Sequence, residues 1–243
     1  MRPRILKGGL SGGTYASIAN LIKEAVAHSQ TRKDLLNPFL LCPPNHGFSA
    51  KQKRVFLPVY DASFSQWSAP FIMAITNEAL VRRSHALNED VFQADFIYNE
   101  AWMFGRGLKG ALKAMFMASG LGLFMTGLVL PPTRYLLQKL VLPAPGHGPS
   151  FDERAAGHHE SWLHGQTANG HALKVKVTGE GDPAYLSTSR MLGQAVLSLA
   201  KDHVDETGEK TTPGGFWTTA SLLGHAYLER LQQYAEMKFV LME

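Results

Sequence analysis

The sequence Trp162-Leu-His-Gly-Gln-Thr-Ala-Asn-Gly-His-Ala-Leu-Lys-Val-Lys-Val-Thr178 predicts a β-hairpin and decides the fold class. Asn169-Gly170 is the strongest short hairpin signal, because these two residue types accept the positive φ angles of a tight turn. In the second arm, Leu173, Val175 and Val177 alternate with Lys and Thr. One face of this strand is therefore buried and the other is solvated, as in a sheet covered by helices on one side.

The sequence on both sides of the hairpin predicts further strands and helices, and their order indicates an α+β fold. We expect a mixed sheet with flanking helices plus an apolar helical insertion. Thr14 is the predicted N-cap of the first helix. Strands are predicted at 4–7, 54–57, 92–99 and 238–241, and helices at 15–27, 71–84, from Pro183 through 199, and at about 221–234.

Composition excludes several classes of protein. The 243 residues include 24 Lys+Arg and 20 Asp+Glu, and 45% are hydrophobic, which excludes a disordered tail, a collagen-like repeat and a highly charged coiled coil. The single cysteine, Cys42, excludes an intramolecular disulfide framework and a cysteine-rich zinc module. No apolar secretory region follows Met1, so a cytoplasmic location is expected, with peripheral membrane association as a second expectation.

The positive charge is concentrated around an apolar segment. No acidic residue occurs between Glu100 and Asp152, and the 17 residues 114–130 carry no charge at all. This length is at the short limit of the roughly 20 residues that span a bilayer. Three interpretations stay open: a helix buried in the core or a dimer interface, a helix lying in a membrane surface, and a spanning helix. Small residues follow one face of the helix at Gly110, Ala114, Ala118, Gly122 and Thr126.

The apolar segment and its basic flanks predict a membrane or partner surface. The basic residues alternate with aliphatic residues and not with an aromatic platform, so no nucleic-acid partner is expected. The residues assigned to this surface are Lys109, Lys113, Phe116, Phe124, Arg134 and Lys139.

A glycine-rich turn, Gly8-Gly-Leu-Ser-Gly-Gly-Thr14, lies between the first strand and the first helix, where a dinucleotide-binding loop would lie. The spacing of G-x-G-x-x-G fails, because its first glycine would fall on Lys7. The same turn contains G-x-S-x-G, which makes Ser11 a candidate hydrolase nucleophile. Only ten residues precede Ser11, too few for the sheet and oxyanion loop of such an enzyme. The simpler interpretation is a tight helix-capping turn whose amides hold an anion.

The histidines of the hairpin region do not predict a metal site. His159-Glu-Ser-Trp-Leu-His164 has one residue too many for H-E-x-x-H, so on a helix the two rings would point about 140° apart. On a strand they would lie on opposite faces. We therefore expect His158, His159, His164 and His171 to be histidines of a solvated hairpin.

Four segments resemble saccharopine dehydrogenase-like oxidoreductases, and most closely their trans-acting enoyl reductase branch: Gly8-Gly-Leu-Ser-Gly-Gly-Thr14, Pro70-Phe-Ile-Met73, Val81-Arg-Arg-Ser84 and Gly214-Gly-Phe-Trp-Thr218. The apolar segment and Gly181-Asp-Pro-Ala-Tyr185 occur in matching order, so the resemblance covers nearly the whole chain. It implies an N-terminal NAD(P)-binding Rossmann domain joined to a second α+β domain for substrate binding and association. It also implies reduction of lipid intermediates, with membrane or lipid-droplet association among related members.

The chain departs from this family in lacking the Rossmann half with its G-x-G-x-x-G loop, and in carrying Thr219 where the family has proline. Residues 1–243 are interpreted as the C-terminal substrate-binding and association domain, with a helical insertion at about 105–142 and a linker at 143–150. We expect a lipid-type substrate, no NAD(P) bound by this chain alone, and a homodimer or a separate Rossmann-domain chain as partner. The alternative is a non-catalytic membrane-surface or scaffold module that uses 107–142.

Two groups of residues are predicted to bind substrate. Ser11, Gly12, Gly13 and Thr14 would present amides and hydroxyls to the substrate or to a cofactor held by another domain. Arg82 and Arg83 would hold a phosphate or carboxylate, with a solvated helix end as the alternative. Catalytic residues are not assigned.

Overall fold

The computed structural model describes residues 1–88, 93–140, 142–144, 146–203, 211 and 214–242. These residues confirm the α+β class. In chain order the elements are β1 (Arg2–Lys7), α1 (Gly12–Ala27), α2 (Ser29–Leu36), β2 (Val59–Asp61), β3 (Gln66–Ala69), α3 (Ala74–Leu87), β4 (Trp102–Gly105), α4 (Gly107–Val129), α5 (Pro131–Leu140), α6 (Phe151–Ala155), β5 (His158–Gln166), β6 (Ala172–Glu180), α7 (Leu186–Lys201), α8 (Thr219–Leu222), α9 (Gly224–Tyr234) and β7 (Met237–Met242).

The larger sheet is built on the predicted hairpin. Its four strands lie in the order β1-β5-β6-β7, and β5 pairs with β6 along their full length, from His158 opposite Glu180 to Gln166 opposite Ala172. The hairpin prediction is confirmed, and Gly170 adopts a φ of +83° in the turn. Helices α7 and α9 pack together, and α9 continues into β7, where Leu231, Ala235 and Met237 form the centre of a hydrophobic core.

A smaller sheet has three strands in the order β2-β3-β4 and is covered by α4. Gly110 is needed on α4 because a Cβ there would lie 2.2 Å from the carbonyl oxygen of Gly105. The two sheets approach at the start of β1, where Arg2 forms an ion pair of 2.6 Å with Asp61. All described strand pairs in both sheets are antiparallel, where the sequence led us to expect one mixed sheet.

Two predicted strands are wrong. Residues 54–57 and 93–99 form no strand, and Phe92 lies outside the described residues. In the second segment, side chains bind two backbone carbonyls instead: Gln52 donates to the carbonyl of Phe96, and Arg82 donates to the carbonyl of Tyr98. A segment whose carbonyls are satisfied in this way needs no partner strand, although its aromatic residues resemble a strand in sequence.

Several helix boundaries differ from the predicted ones. Helix α1 begins at Gly12, and its N-cap is Ser11, not Thr14, because the Ser11 Oγ accepts a hydrogen bond from the Thr14 backbone nitrogen at 3.3 Å.

Helix α3 spans Ala74–Leu87, three residues later than the predicted 71–84. Helix α7 begins at Leu186, since the Asp182 carboxylate accepts from the backbone nitrogens of Tyr185 and Leu186. The predicted helix at 221–234 is divided into α8 and α9 at Gly224, whose φ is +55°. The terminal strand is confirmed as β7.

Helix α4 is not a core helix. It is long and apolar enough to cross a membrane by length and composition, yet only 11% of its apolar stretch is buried. One face packs against the protein through Gly110, Ala114 and Leu128, which are buried. Burial in the globular core, one of the three interpretations of this segment, is therefore wrong.

Candidate functional site

The glycine-rich turn forms the base of the candidate site. Strand β1 ends at Lys7, the chain turns through Gly8–Leu10, and Ser11 caps α1 with an extended backbone at φ −79° and ψ 159°. The Ser11 and Thr14 hydroxyl oxygens lie 3.3 Å apart. A Cβ at Gly8 would lie 2.8 Å from the Cβ of Asp182, so the turn is packed directly against the loop before α7. The structure thus brings two of the predicted residues, Ser11 and Thr14, together with a distant loop.

Tyr185 completes this cluster from the other side. Its hydroxyl accepts a hydrogen bond from the Ser11 backbone nitrogen at 2.6 Å and lies 3.3 Å from the Thr14 hydroxyl. Asp182, which is fully buried, accepts from the Tyr185 backbone nitrogen at 3.0 Å and so fixes the position of the ring. We call Ser11, Thr14 and Tyr185 the hydroxyl cluster.

Sequence reasoning did not assign Tyr185 to the site. The signal was present, because Tyr185 ends the Gly181-Asp-Pro-Ala-Tyr185 segment that carries part of the family resemblance. The contact itself joins residues 174 positions apart. No local pattern predicts such a pairing.

The electrostatics of Tyr185 differ from those of an ordinary surface tyrosine. Burial alone would raise the pKa of the phenol, but the hydrogen bonds from Ser11 and Thr14 outweigh it, and the pKa is lowered from its usual 10.0. Since the backbone of Ser11 supplies the hydrogen of the 2.6 Å bond, the phenol keeps its own proton for another acceptor. The cluster can therefore donate a hydrogen bond to a carbonyl oxygen.

A cleft of about 500 Å³ opens beside the turn. One wall is the turn itself, and the opposite wall is the cover segment, which we define as residues 143, 144 and 146–150. Lys7 and His147 supply basic groups at the exposed rim, and Glu153 supplies an acidic one. The lining residues are Lys7, Gly8, Gly9, Leu10, Pro143, His147, Gly148, Pro149, Glu153 and Ala156.

The cover segment is the stretch that the sequence predicted as a linker at 143–150. Its described residues pack on the turn: the Gly12 backbone nitrogen donates to the carbonyl of His147 at 2.9 Å, and a Cβ at Gly148 would lie 3.2 Å from the Ser11 Cβ. A Cβ at Gly12 would lie only 2.2 Å from the Ala144 carbonyl oxygen. Gly12 is therefore required for this close approach, and the segment forms a wall of the site.

This turn does not fit the pyrophosphate of a dinucleotide. Three amides of the first turn of α1 are used by the protein, since Gly12 donates to His147, Thr14 to the Ser11 side chain and Tyr15 to the Ser11 carbonyl. The space above Gly12 is filled by Ala144. Strand β1 also pairs with an antiparallel neighbour, whereas dinucleotide-binding loops follow strands of a parallel sheet.

The surroundings of Ser11 also differ from those of a hydrolase nucleophile. A nucleophile elbow holds its serine at the top of a parallel sheet with a histidine as its base. Here Ser11 caps a helix beside an antiparallel sheet, and its hydroxyl contacts Thr14.

Two of the hairpin histidines, His159 and His164, contact different parts of the protein. The His159 ring lies 2.9 Å from the Ser187 hydroxyl, and His164 contacts the Phe64 ring. His158, His159 and His164 are half-buried, which corrects the expectation that they are solvated, whereas His171 is exposed as expected. Burial lowers the pKa of His159. Within the described residues, no group of three or more His, Cys, Asp or Glu side chains has the arrangement of a metal site.

Arg82 lies in a buried ionic cluster on α3. Its side chain is fully buried and donates to the Glu78 carboxylate at 3.1 Å, to the Gln52 side chain and to the Tyr98 carbonyl. Glu78 is also fully buried and accepts from the Glu100 backbone nitrogen at 3.0 Å. Arg82 thus holds a carboxylate of its own chain, which makes the alternative of a solvated helix end wrong for it.

Arg83 links two of the segments on which the family resemblance rests. Its guanidinium donates to the carbonyls of Leu41 and Phe216, while the hydroxyls of Ser84 and Thr218 lie 2.8 Å apart. These contacts fix the chain around 214–218 against the end of α3. In the structure, both arginines bind groups of their own chain, and their role toward a substrate stays a prediction.

The residues assigned to a membrane or partner surface divide into two groups. Lys109, Lys113, Lys139 and Phe116 are exposed, and Phe116 is exposed by 82%. Arg134 and Phe124 are half-buried, and the Phe124 ring contacts the Tyr15 ring edge to face at 6.2 Å. Phe124 therefore faces α1, which corrects its assignment to the surface.

Comparison with known proteins identifies oxidoreductases named trans-acting enoyl reductases as relatives of this chain. It is 33% identical over 240 residues to one such protein of Mycobacterium tuberculosis, and 29% identical over 236 residues to one of Mycobacterium ulcerans. These matches cover 94% and 92% of the chain but 55% and 54% of the relatives, so the chain spans about half the length of the curated relatives it matches. No family model matches the chain, and no solved structure matches it significantly.

Proposed function

We propose that this chain is the substrate-binding and interaction half of an NAD(P)-dependent oxidoreductase that reduces an enoyl or keto group of a lipid-type substrate. The observation that carries the proposal is the 33% identity along 94% of the chain to a protein named a trans-acting enoyl reductase. The saccharopine dehydrogenase-like family is the wider group in which we place the chain. Its NAD(P) belongs to a Rossmann domain outside these 243 residues, as the poor fit of the turn to a pyrophosphate supports.

The cleft beside the hydroxyl cluster is the proposed substrate site. Reduced nicotinamide supplies a hydride to such substrates when it is bound by its own domain. The residues of this chain bind and orient the carbonyl group of the substrate: the hydroxyl of Tyr185 donates a hydrogen bond to its oxygen, which gains negative charge during reduction. The Thr14 hydroxyl, 3.3 Å from the phenol oxygen, donates to Tyr185 and supports it in this role. The hydrogen bonds from Ser11 and Thr14 lower the pKa of Tyr185, which makes its phenol a stronger hydrogen-bond donor than an ordinary tyrosine.

A binding experiment tests the substrate site. The purified chain is titrated calorimetrically with trans-2-decenoyl N-acetylcysteamine, a soluble enoyl thioester. Thr14→Val removes a hydroxyl of the cluster but keeps the shape of the side chain, and we expect binding to weaken by about tenfold, the cost of one hydrogen bond to a charged or polarised group. Ser17→Ala is the control, because Ser17 lies on the exposed side of α1 and its hydroxyl donates to the Gly13 carbonyl.

Two results would overturn the proposal. No binding of the thioester to the unmodified chain, or equal binding by T14V, would remove the hydroxyl cluster from the substrate site. Stoichiometric binding of NADPH to the chain by itself, measured in the same calorimeter, would contradict the placement of the cofactor on another domain.

A further inference from the structure

Helices α4 and α5, which pack against each other, both expose apolar side chains. Leu108, Leu112, Phe116 and Leu123 follow one side of α4 at helical spacing, and Leu108 and Phe116 are exposed by 76% and 82%. Tyr135, Leu136 and Leu140 of α5 are exposed as well. We call these seven residues the apolar face. Exposed patches of this kind mark interaction sites.

The opposite side of α4 is attached to the protein along its length. Near the start, Gly110 approaches the carbonyl of Gly105, and Ala114 is fully buried. Near the end, Phe124 contacts Tyr15, and Leu128 is fully buried. A spanning helix would carry these packed strands and helices into the hydrocarbon, where unsatisfied backbone groups are costly. The attachment therefore favours a helix that lies in the plane of a membrane surface.

The charges around the apolar face indicate what kind of partner surface it contacts. The sequence has no acidic residue from 101 to 151, and Lys109, Lys113 and Lys139 are exposed beside the apolar face. Lys139 also lies over the ring of Tyr135 at 5.8 Å. Apolar residues with adjacent basic residues are typical of helices that lie at the interface of anionic membranes.

A shallow cavity of about 330 Å³ lies within this surface. Its walls are Phe104, Leu112, Phe116 and Met117, and Lys113 is its charged lining residue. An apolar cavity beside an ammonium group matches the end of an acyl chain and a nearby anionic headgroup.

We propose that α4 and α5 seat this protein in the interface of an anionic lipid bilayer, with the apolar face among the lipid chains and the lysines at the headgroups. This proposal does not depend on the proposed enzymatic function, because it rests on the exposed face and its charges. Its occupant is a membrane surface and not a second copy of the chain, since two copies of this basic face would repel each other.

The first test is flotation with vesicles of phosphatidylcholine, with or without 30% phosphatidylglycerol. The chain is expected to float with the anionic vesicles and not with the neutral ones. Replacing Lys109, Lys113, Arg134 and Lys139 by Gln is expected to lower the partition coefficient by at least about tenfold, since basic residues near such a surface are attracted to the anionic headgroups. The matched control replaces exposed Lys23, Lys33, Lys51 and Lys53 by Gln, which should leave flotation unchanged.

The second test addresses the apolar face. Phe116→Ser combined with Leu123→Ser should abolish flotation, whereas Leu192→Ser combined with Val196→Ser should not, because those exposed residues lie on α7. A probe that senses polarity is then attached at Ser119→Cys, on the exposed side of α4, in a Cys42→Ser background. Its emission should shift to the blue on anionic vesicles, while the same probe at Ser189→Cys on α7 should not respond.

Three outcomes would overturn the proposal. The first is absence of flotation on anionic vesicles. The second is retention in the membrane after washing at pH 11, which would show a spanning helix. The third is a dimer in light scattering that F116S/L123S converts to a monomer, which would assign the apolar face to a second copy of the chain.

Discussion

The hydroxyl oxygen of Tyr185 lies 2.6 Å from the backbone nitrogen of Ser11, across a separation of 174 residues. The bond joins the start of α7 to the cap of α1, and the buried carboxylate of Asp182 holds Tyr185 in place for it. Two elements that are distant in the sequence thus meet beside the glycine-rich turn. Substitutions at this contact separate its structural role from its role in binding.

Tyr185→Phe is expected to weaken both stability and binding. The Ser11 amide loses its hydrogen-bond acceptor, and water replaces the phenol oxygen only in part. We therefore expect the free energy of unfolding to fall by about 1 kcal/mol. The measurement is the free energy of unfolding in urea, together with the affinity for the enoyl thioester. Tyr234→Phe is the control, because Tyr234 is 54% exposed at the end of α9. Equal stability and affinity in the two variants would contradict the role of Tyr185.

Gly12→Ala is expected to displace the cover segment. The new Cβ would lie 2.2 Å from the carbonyl oxygen of Ala144, a backbone atom, so the segment has to move. We expect a loss of about 1–3 kcal/mol, the usual cost of forcing extra volume into a packed site. Limited proteolysis should also cleave the variant more readily within the cover segment.

Gly193→Ala is the matched control for this substitution. Among the described residues, no atom outside its own helix lies within 4 Å of the corresponding Cβ, and Gly193 is inside α7. Alanine there is expected to stabilise the protein by about 0.5–1 kcal/mol through its greater helix propensity. If the two variants unfold at the same urea concentration, the close approach at Gly12 is not as tight as described.

The sequence was sufficient wherever the pattern was local. The Asn169-Gly170 turn and the alternation after it predict the hairpin, and the pairing of β5 with β6 confirms it. Strands β2 and β4 have only three and four residues. Strands this short form because of their neighbours in the sheet, and their own composition is not sufficient to predict them.

The ion pair between Arg82 and Glu78 could have been predicted from the sequence but was missed. Glu78 stands four residues earlier, on the same face of α3, and such a pair predicts an ionic contact on that face. The burial of the pair depends on the loops that cover it, including Gln52 and Tyr98, and cannot be predicted from helix periodicity. The row of small residues on α4 predicted part of its packing face, since Gly110 and Ala114 are buried, whereas Gly122 and Thr126 of the same row are exposed.

Glu78→Gln is expected to destabilise the protein strongly. The substitution leaves the guanidinium of Arg82 buried without its counter-charge, and breaking a buried pair in this way costs about 3–5 kcal/mol. The thermal midpoint and the free energy of unfolding in urea both measure the loss. Glu229→Gln is the control, since Glu229 and its partner His225 are exposed and such pairs contribute about 0–1 kcal/mol. A small loss in E78Q, equal to that in E229Q, would contradict the burial of the pair.

His159 is expected to make stability depend on pH. Burial lowers the pKa of this histidine below its ordinary 6.5, although the nearby Glu180 carboxylate opposes the effect. The unfolded chain therefore takes up the proton first, so the stabilisation is complete above about pH 6.5 and decreases as the pH falls through the lower pKa of the folded state.

His159→Gln keeps a hydrogen-bonding group near Ser187 but does not titrate. Its free energy of unfolding should fall less between pH 7.5 and pH 5.0 than that of the unmodified protein, whereas His171→Gln, at the exposed hairpin turn, should follow the unmodified protein. Parallel losses in all three proteins would show that protonation of His159 is not coupled to folding, and that the contact with Ser187 exists equally with the charged ring.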